Sequence, residues 1–66
     1  MVALTMHAAN RILEREIPYR AVEACRLAAP ILNDIPLRFR FGNLEIVASK
    51  VGRTPRMLSV WRTDEL

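Results

Sequence analysis

Leu37-Arg38-Phe39-Arg40-Phe41-Gly42-Asn43-Leu44-Glu45-Ile46-Val47-Ala48-Ser49-Lys50 is the stretch that decides the architecture. Its first five residues alternate strictly, and a period of two predicts a strand over 37–41. Leu37, Phe39 and Phe41 share one face of that strand, and Arg38 and Arg40 share the other. Gly42-Asn43 between two such runs is a tight hairpin signal. The chain then returns from Leu44 to Lys50 with Leu44, Ile46 and Ala48 facing a core. Residues 51–55 read as a loop. Met57-Leu58-Ser59-Val60-Trp61 predicts a third strand over 56–62. The polar end, Thr63-Asp64-Glu65-Leu66, is expected to fray.

Upstream of the hairpin the period changes to that of a helix. Thr5 is a suitable N-cap for a helix over 6–16. At ~100° per residue, Met6, Ala8, Ala9, Ile12, Leu13 and Ile17 gather on one side. His7, Asn10, Arg11, Glu14 and Arg15 gather on the other. Packing onto the sheet is expected through Ala8, Ile12 and Leu13. Pro18 disfavours helical geometry at Ile17 but suits the first turn of a second helix, from Pro18 to about Ala28. Ala21, Val22, Ala24, Cys25 and Ala28 form its apolar side. Ala29-Pro30 ends it, Ile31-Leu32 reads as a short edge strand, and Asn33-Asp34 as a turn.

The predicted fold class is therefore α+β: two N-terminal helices packed on one face of a three- to four-stranded antiparallel sheet, in one domain over 1–66. Arg38, Arg40, Glu45, Val47, Ser49, Ser59 and Trp61 are assigned to the opposite face.

Composition narrows the chemistry. The chain has 66 residues and a hydrophobic fraction of 52%. A chain of this size buries only roughly 60% of the surface exposed on unfolding, so its core is marginal. Lys plus Arg number 10 against 7 for Asp plus Glu, and every basic residue except Lys50 is arginine. Arginine binds phosphate and carboxylate bidentately and stacks on flat rings, so this surface suits nucleic acid or an acidic protein. A single cysteine, Cys25, excludes an intramolecular disulfide and suits a reducing cytoplasm. It sits on the apolar side of the second helix, as an inert buried thiol does. No apolar run approaches the length of a membrane span, and no secretory signal is visible.

One His and one Cys do not make a four-ligand zinc site, so no metal or other cofactor is expected. The two glycines, Gly42 and Gly52, do not form a phosphate loop. The polar arc of the first helix remains. His7 and Arg11 stand at i and i+4, Arg15 repeats the step, and Glu14 lies two turns from His7. RNA cleavage by internal transesterification needs a base for the 2′-OH, an acid for the departing 5′-oxygen, and cations for the phosphorane-like charge. His7 is the candidate acid–base residue, Arg11 and Arg15 are candidate phosphate ligands, and Glu14 is a partner for His7. The same pattern is also that of a solvated helix face laced with ion pairs. Arg38 and Arg40 are candidate nucleic-acid contacts or an ordinary solvent-facing alternation. Trp61 is a base-stacking platform or a lid on the core edge.

The stretch Thr5-Met6-His7-Ala8-Ala9-Asn10-Arg11-Ile12-Leu13-Glu14-Arg15-Glu16-Ile17 resembles the first-helix signature of a bacterial toxin-like domain of unknown function. That signature is Thr-x-His-Ala-x-x-Arg-x-x-Glu-Arg-Gly-Ile, and Glu16 stands where the family has Gly. Arg38 to Leu44 resembles its hairpin, and Leu58-Ser59-Val60-Trp61-Arg62 its closing strand. The family is grouped with ribonuclease-fold toxins that include RelE and barnase. The resemblance implies helices on an antiparallel sheet and metal-independent RNA cleavage. It places catalytic roles on His7, Arg11, Glu14, Arg15 and Ser59. Arg38, Arg40, Trp61 and Arg62 are then the nucleic-acid contacts.

Two functions follow as expectations. The first is a small endoribonuclease acting as the toxin of a toxin–antitoxin pair in the bacterial cytoplasm. RNA, including ribosome-associated RNA, is its substrate, and a cognate antitoxin or other acidic protein is its partner. The second is a non-catalytic basic binding module acting on an acidic protein or a nucleic-acid complex.

Overall fold

The structure, a computed structural model, describes residues 1–65. It is α+β, with the helices N-terminal and a four-stranded sheet. The predicted hairpin forms between β2 (Leu37–Phe41) and β3 (Leu44–Val51), in antiparallel register with Arg38 opposite Val47 and Arg40 opposite Glu45. Gly42 takes φ +60° at the first central position of the two-residue loop, the placement a type II′ turn requires. The expected loop over 51–55 is shorter than predicted. A second two-residue turn, Gly52-Arg53 with Gly52 at φ +62°, joins β3 to β4 (Thr54–Arg62).

The sheet is mixed rather than purely antiparallel. The two-residue strand β1 (Ala3–Leu4) runs parallel to β4, with Ala3 opposite Arg56 and Leu4 opposite Met57, giving the order β1-β4-β3-β2. Two residues are too few to carry a periodicity, so this strand left no pattern to read. The short edge strand expected from Ile31-Leu32 does not form. Ala29–Ile31 is a 3₁₀ turn, tied to the sheet by Lys50 Nζ donating to the Ala29 carbonyl at 2.9 Å. Thr63–Glu65, within the end expected to fray, forms another 3₁₀ turn whose Thr63 N–H donates to the Asn43 carbonyl at 2.9 Å, and Leu66 lies outside the described residues.

A bulge interrupts the β3–β4 pairing. Val47 faces Ser59 while Ala48 faces Met57, leaving Leu58 as the extra residue. Met57 and Val60 are three apart and both fully buried, which strict alternation forbids and one inserted residue permits.

Helix α1 (Met6–Arg15) is anchored to that bulge. The Thr5 hydroxyl accepts from the Ala8 N–H at 3.1 Å and donates to the Leu58 carbonyl at 3.1 Å. Ala8 is buried and Ile12 packs against the core, as expected, but Met6 and Leu13 are each 78% exposed. Ile17 reaches the core beyond the helix end. Helix α2 (Arg20–Leu27) buries Ala21, Ala24 and Cys25. Both helices cover one face of the sheet, α1 on β4 and α2 across β3 and β4. Between them lie Leu44, Ile46, Ala48, Met57 and Val60. Among the described residues no helix is long and apolar enough to cross a membrane.

Candidate functional site

Among the described residues no helix is seen to pack on the sheet face opposite α1 and α2, where Glu45 and Ser49 are buried among their neighbours, and the geometry of that face follows from strand register. Arg38, Val47 and Ser59 form one row across β2, β3 and β4, and Arg40, Glu45 and Trp61 form the next. Ser49 and Arg56 make a third. Arg38, Arg40, Glu45, Ser59 and Trp61 therefore share one surface, as the alternation predicted, and Arg56 joins them.

His7 meets this surface from the edge. β1 stops at Leu4, opposite Met57, so from Leu58 onward no strand among the described residues pairs with this edge of β4, and the Leu58 carbonyl is taken by the Thr5 hydroxyl. The first turn of α1 sits there, and His7 Nε2 lies 3.2 Å from Ser59 Oγ. The tautomer decides which of the two donates.

Glu45 ties the arginines together. It is only 8% exposed, an unusual place for a carboxylate without partners. Arg38 Nε donates to one carboxylate oxygen at 3.0 Å, and Arg40 reaches the other at 3.4 Å. These contacts, led by the Arg38 hydrogen bond, hold the Glu45 carboxyl below the usual carboxylate range. The Arg38 guanidinium carbon also lies 4.9 Å from the centre of the Trp61 ring, a cation–π distance. The Trp61 indole N–H is buried and finds no acceptor among the described residues. Glu45 was assigned to this face from sequence without a role. Its signal was its position opposite Arg40 and diagonal to Arg38 across the hairpin.

The remaining candidates lie elsewhere. Glu14 makes no hydrogen bond to His7 among the described residues. Seven residues of helix separate the two by about 10 Å along the axis. Arg11 is half-buried on α1, one turn from His7. Arg62 projects toward the helices, opposite Leu44. It donates to the carbonyls of Arg15 at 2.7 Å and Glu16 at 2.8 Å, closing the C-terminus of α1. Arg15 is in that same last turn. The sequence-assigned residues thus divide into an open-face group with His7 and Ser59, and a helix-end group with Arg15 and Arg62.

Burial pushes the Cys25 thiol up, consistent with an unreactive core residue. No group of three potential metal-ligating His, Cys, Asp or Glu side chains occurs among the described residues. Comparison of the chain with protein families, with curated proteins and with solved structures finds no match.

Proposed function

We propose that the chain is an RNA-directed ribonuclease-like domain whose open sheet face holds single-stranded RNA and whose His7 moves the proton. The observation that carries this reading is the contact of His7 with Ser59 at 3.2 Å, on the edge of a face bearing three arginines. Arg38, Arg40 and Arg56 neutralise phosphate, and Trp61 offers an aromatic surface of the kind on which bases stack. Ser59 fixes the imidazole.

In the reaction, the His7 imidazole takes the proton of the 2′-OH. The 2′-oxygen then forms its bond to phosphorus as the bond to the 5′-oxygen breaks. The 5′-oxygen leaves with a proton from solvent or from the imidazolium. A 2′,3′-cyclic phosphate and a 5′-hydroxyl remain. In a cell this is the activity of a toxin held in check by an antitoxin.

A second reading, a binding module without catalysis, is favoured by a different observation. Among the described residues, His7 contacts Ser59 and no carboxylate, and Glu45 is engaged by two arginines, so the imidazole has no second proton carrier there. Induced expression in bacteria separates the two. The ribonuclease reading expects growth arrest and RNA fragmentation with the native chain and neither with His7→Ala. Binding of RNA without cleavage, unchanged by His7→Ala, establishes the module instead.

A further inference from the structure

We infer that the outer edge of β2 is a docking site for an extended acidic strand, a partner segment in which apolar and Asp or Glu residues alternate. This stands on the edge geometry and is independent of the ribonuclease reading.

β2 ends the sheet order β1-β4-β3-β2, so among the described residues one side of its backbone has no strand beside it. An extended chain adding there gains main-chain hydrogen bonds, with specificity set by alternate side chains. The helix-side face of β2 is poorly covered, because α1 and α2 rest on β3 and β4. Leu37 and Phe41 point to the core side yet are 37% and 41% exposed, and Ile35, just before the strand, is 69% exposed. A fifth strand about 4.8 Å away sets its own apolar side chains against this strip and continues the core outward.

The opposite side of β2 selects the partner's charge. The Arg38 and Arg40 side chains remain 61% and 65% exposed although both contact Glu45. Two cations share one carboxylate, which leaves the strand's polar side positive. A strand carrying carboxylates at the facing positions makes favourable cross-strand pairs.

In the registers that align all or most of β2 with itself, a second copy of this chain fits badly. Antiparallel self-pairing centred on Phe39 sets Arg38 opposite Arg40 of the second copy. Centring on Arg38 or Arg40 sets like residues opposite each other. Parallel pairing in register also sets Arg beside Arg. A one-residue slip removes that clash only by placing arginine on the apolar strip. The arginines that guard this edge against its own copies therefore favour an acidic strand.

The test uses blocked synthetic peptides of repeating Val-Glu and Val-Lys, and a Val-Glu peptide with alternate backbone nitrogens methylated. Binding is followed by the fluorescence of Trp61, the only tryptophan, and by amide hydrogen exchange at 37–41. The Val-Glu peptide is expected to bind saturably and to slow exchange at those amides. The Val-Lys and methylated peptides are expected to bind at least about tenfold more weakly. The Arg38→Glu/Arg40→Glu variant is expected to prefer Val-Lys. Should that variant not fold, the three peptides on the native chain still decide the matter. Equal binding of Val-Glu and Val-Lys overturns the inference. So does protection at another edge, protection of 37–41 that rises with protein concentration alone, or protection by a uridine oligonucleotide where Val-Glu gives none. RNA cleavage, or its absence, has no bearing on these outcomes.

Discussion

His7 and Ser59 are 52 positions apart, and only the fold brings them within 3.2 Å. A general acid–base group contributes typically ~10²–10⁴-fold to rate, so His7→Ala is expected to slow RNA cleavage by about that factor. RNA affinity and melting temperature should stay near native, because His7 is exposed. Single-turnover cleavage, with binding measured separately, checks this. Glu16 illustrates a different constraint. It closes α1 with φ 51° and ψ 45°, a left-handed conformation that glycine adopts without steric cost. Glu16→Gly is therefore expected to stabilise the chain by roughly 0.5–1 kcal/mol, read as a rise of several degrees in melting temperature. Glu45 ties stability to pH. Its folded-state pKa lies below the unfolded value, so its contribution is present above the unfolded pKa and is lost as pH falls through the folded pKa. Glu45→Gln should melt lower than the native chain at neutral pH, and the two curves should converge at the acid end. A gap that persists unchanged into acid would show that the carboxylate charge is not what the arginines stabilise.

Among the elements, the hairpin was the most legible because its two signals agree. The alternation over 37–41 gave the faces, and Gly42-Asn43 gave the turn. Strand β4 was legible in position but not in phase. Ser59 and Trp61 were assigned to the open face, but the sequence reading named no core side for this strand, and the bulge at Leu58 puts Met57 and Val60 together in the core. No local pattern announces a bulge, because it is fixed by what lies across the sheet. In α1 the wheel counted Met6 and Leu13 as core, yet two short helices on a narrow sheet leave room for Ala8 and Ile12 and little beyond. The open-face residues were readable from alternation, while the reach of Arg62 to the helix end was not, since it depends on where α1 stops. Thr5 joins two elements and makes a sharper test than any cap on an isolated helix. Thr5→Ala removes both the bond from Ala8 and the bond to the bulge carbonyl, and should cost about 1–2 kcal/mol. Thr5→Ser keeps both partners and should recover most of the loss in denaturant titrations.

At the scale of the whole molecule, stability and charge are both small quantities with few contributors. A net charge of +3 gives no strong field, so RNA affinity must come from arginines that are placed together. The fold separates them by role. Arg38, Arg40 and Arg56 lie on the open face, whereas Arg62 faces the helices and holds the carbonyls of Arg15 and Glu16. Each phosphate contact on single-stranded RNA contributes about 0.7 to the slope of log affinity against log salt. Arg40→Ala is therefore expected to flatten that slope by about 0.7 and to weaken binding of unrelated oligonucleotides alike. Arg62→Ala should leave the slope unchanged and instead lower the melting temperature, because it uncaps α1. Binding isotherms of a fluorescent oligonucleotide at several salt concentrations, with a melting curve for each variant, separate the two effects. If Arg62→Ala flattens the slope and Arg40→Ala does not, phosphate is read at the helix end, and the open face loses its part in RNA binding.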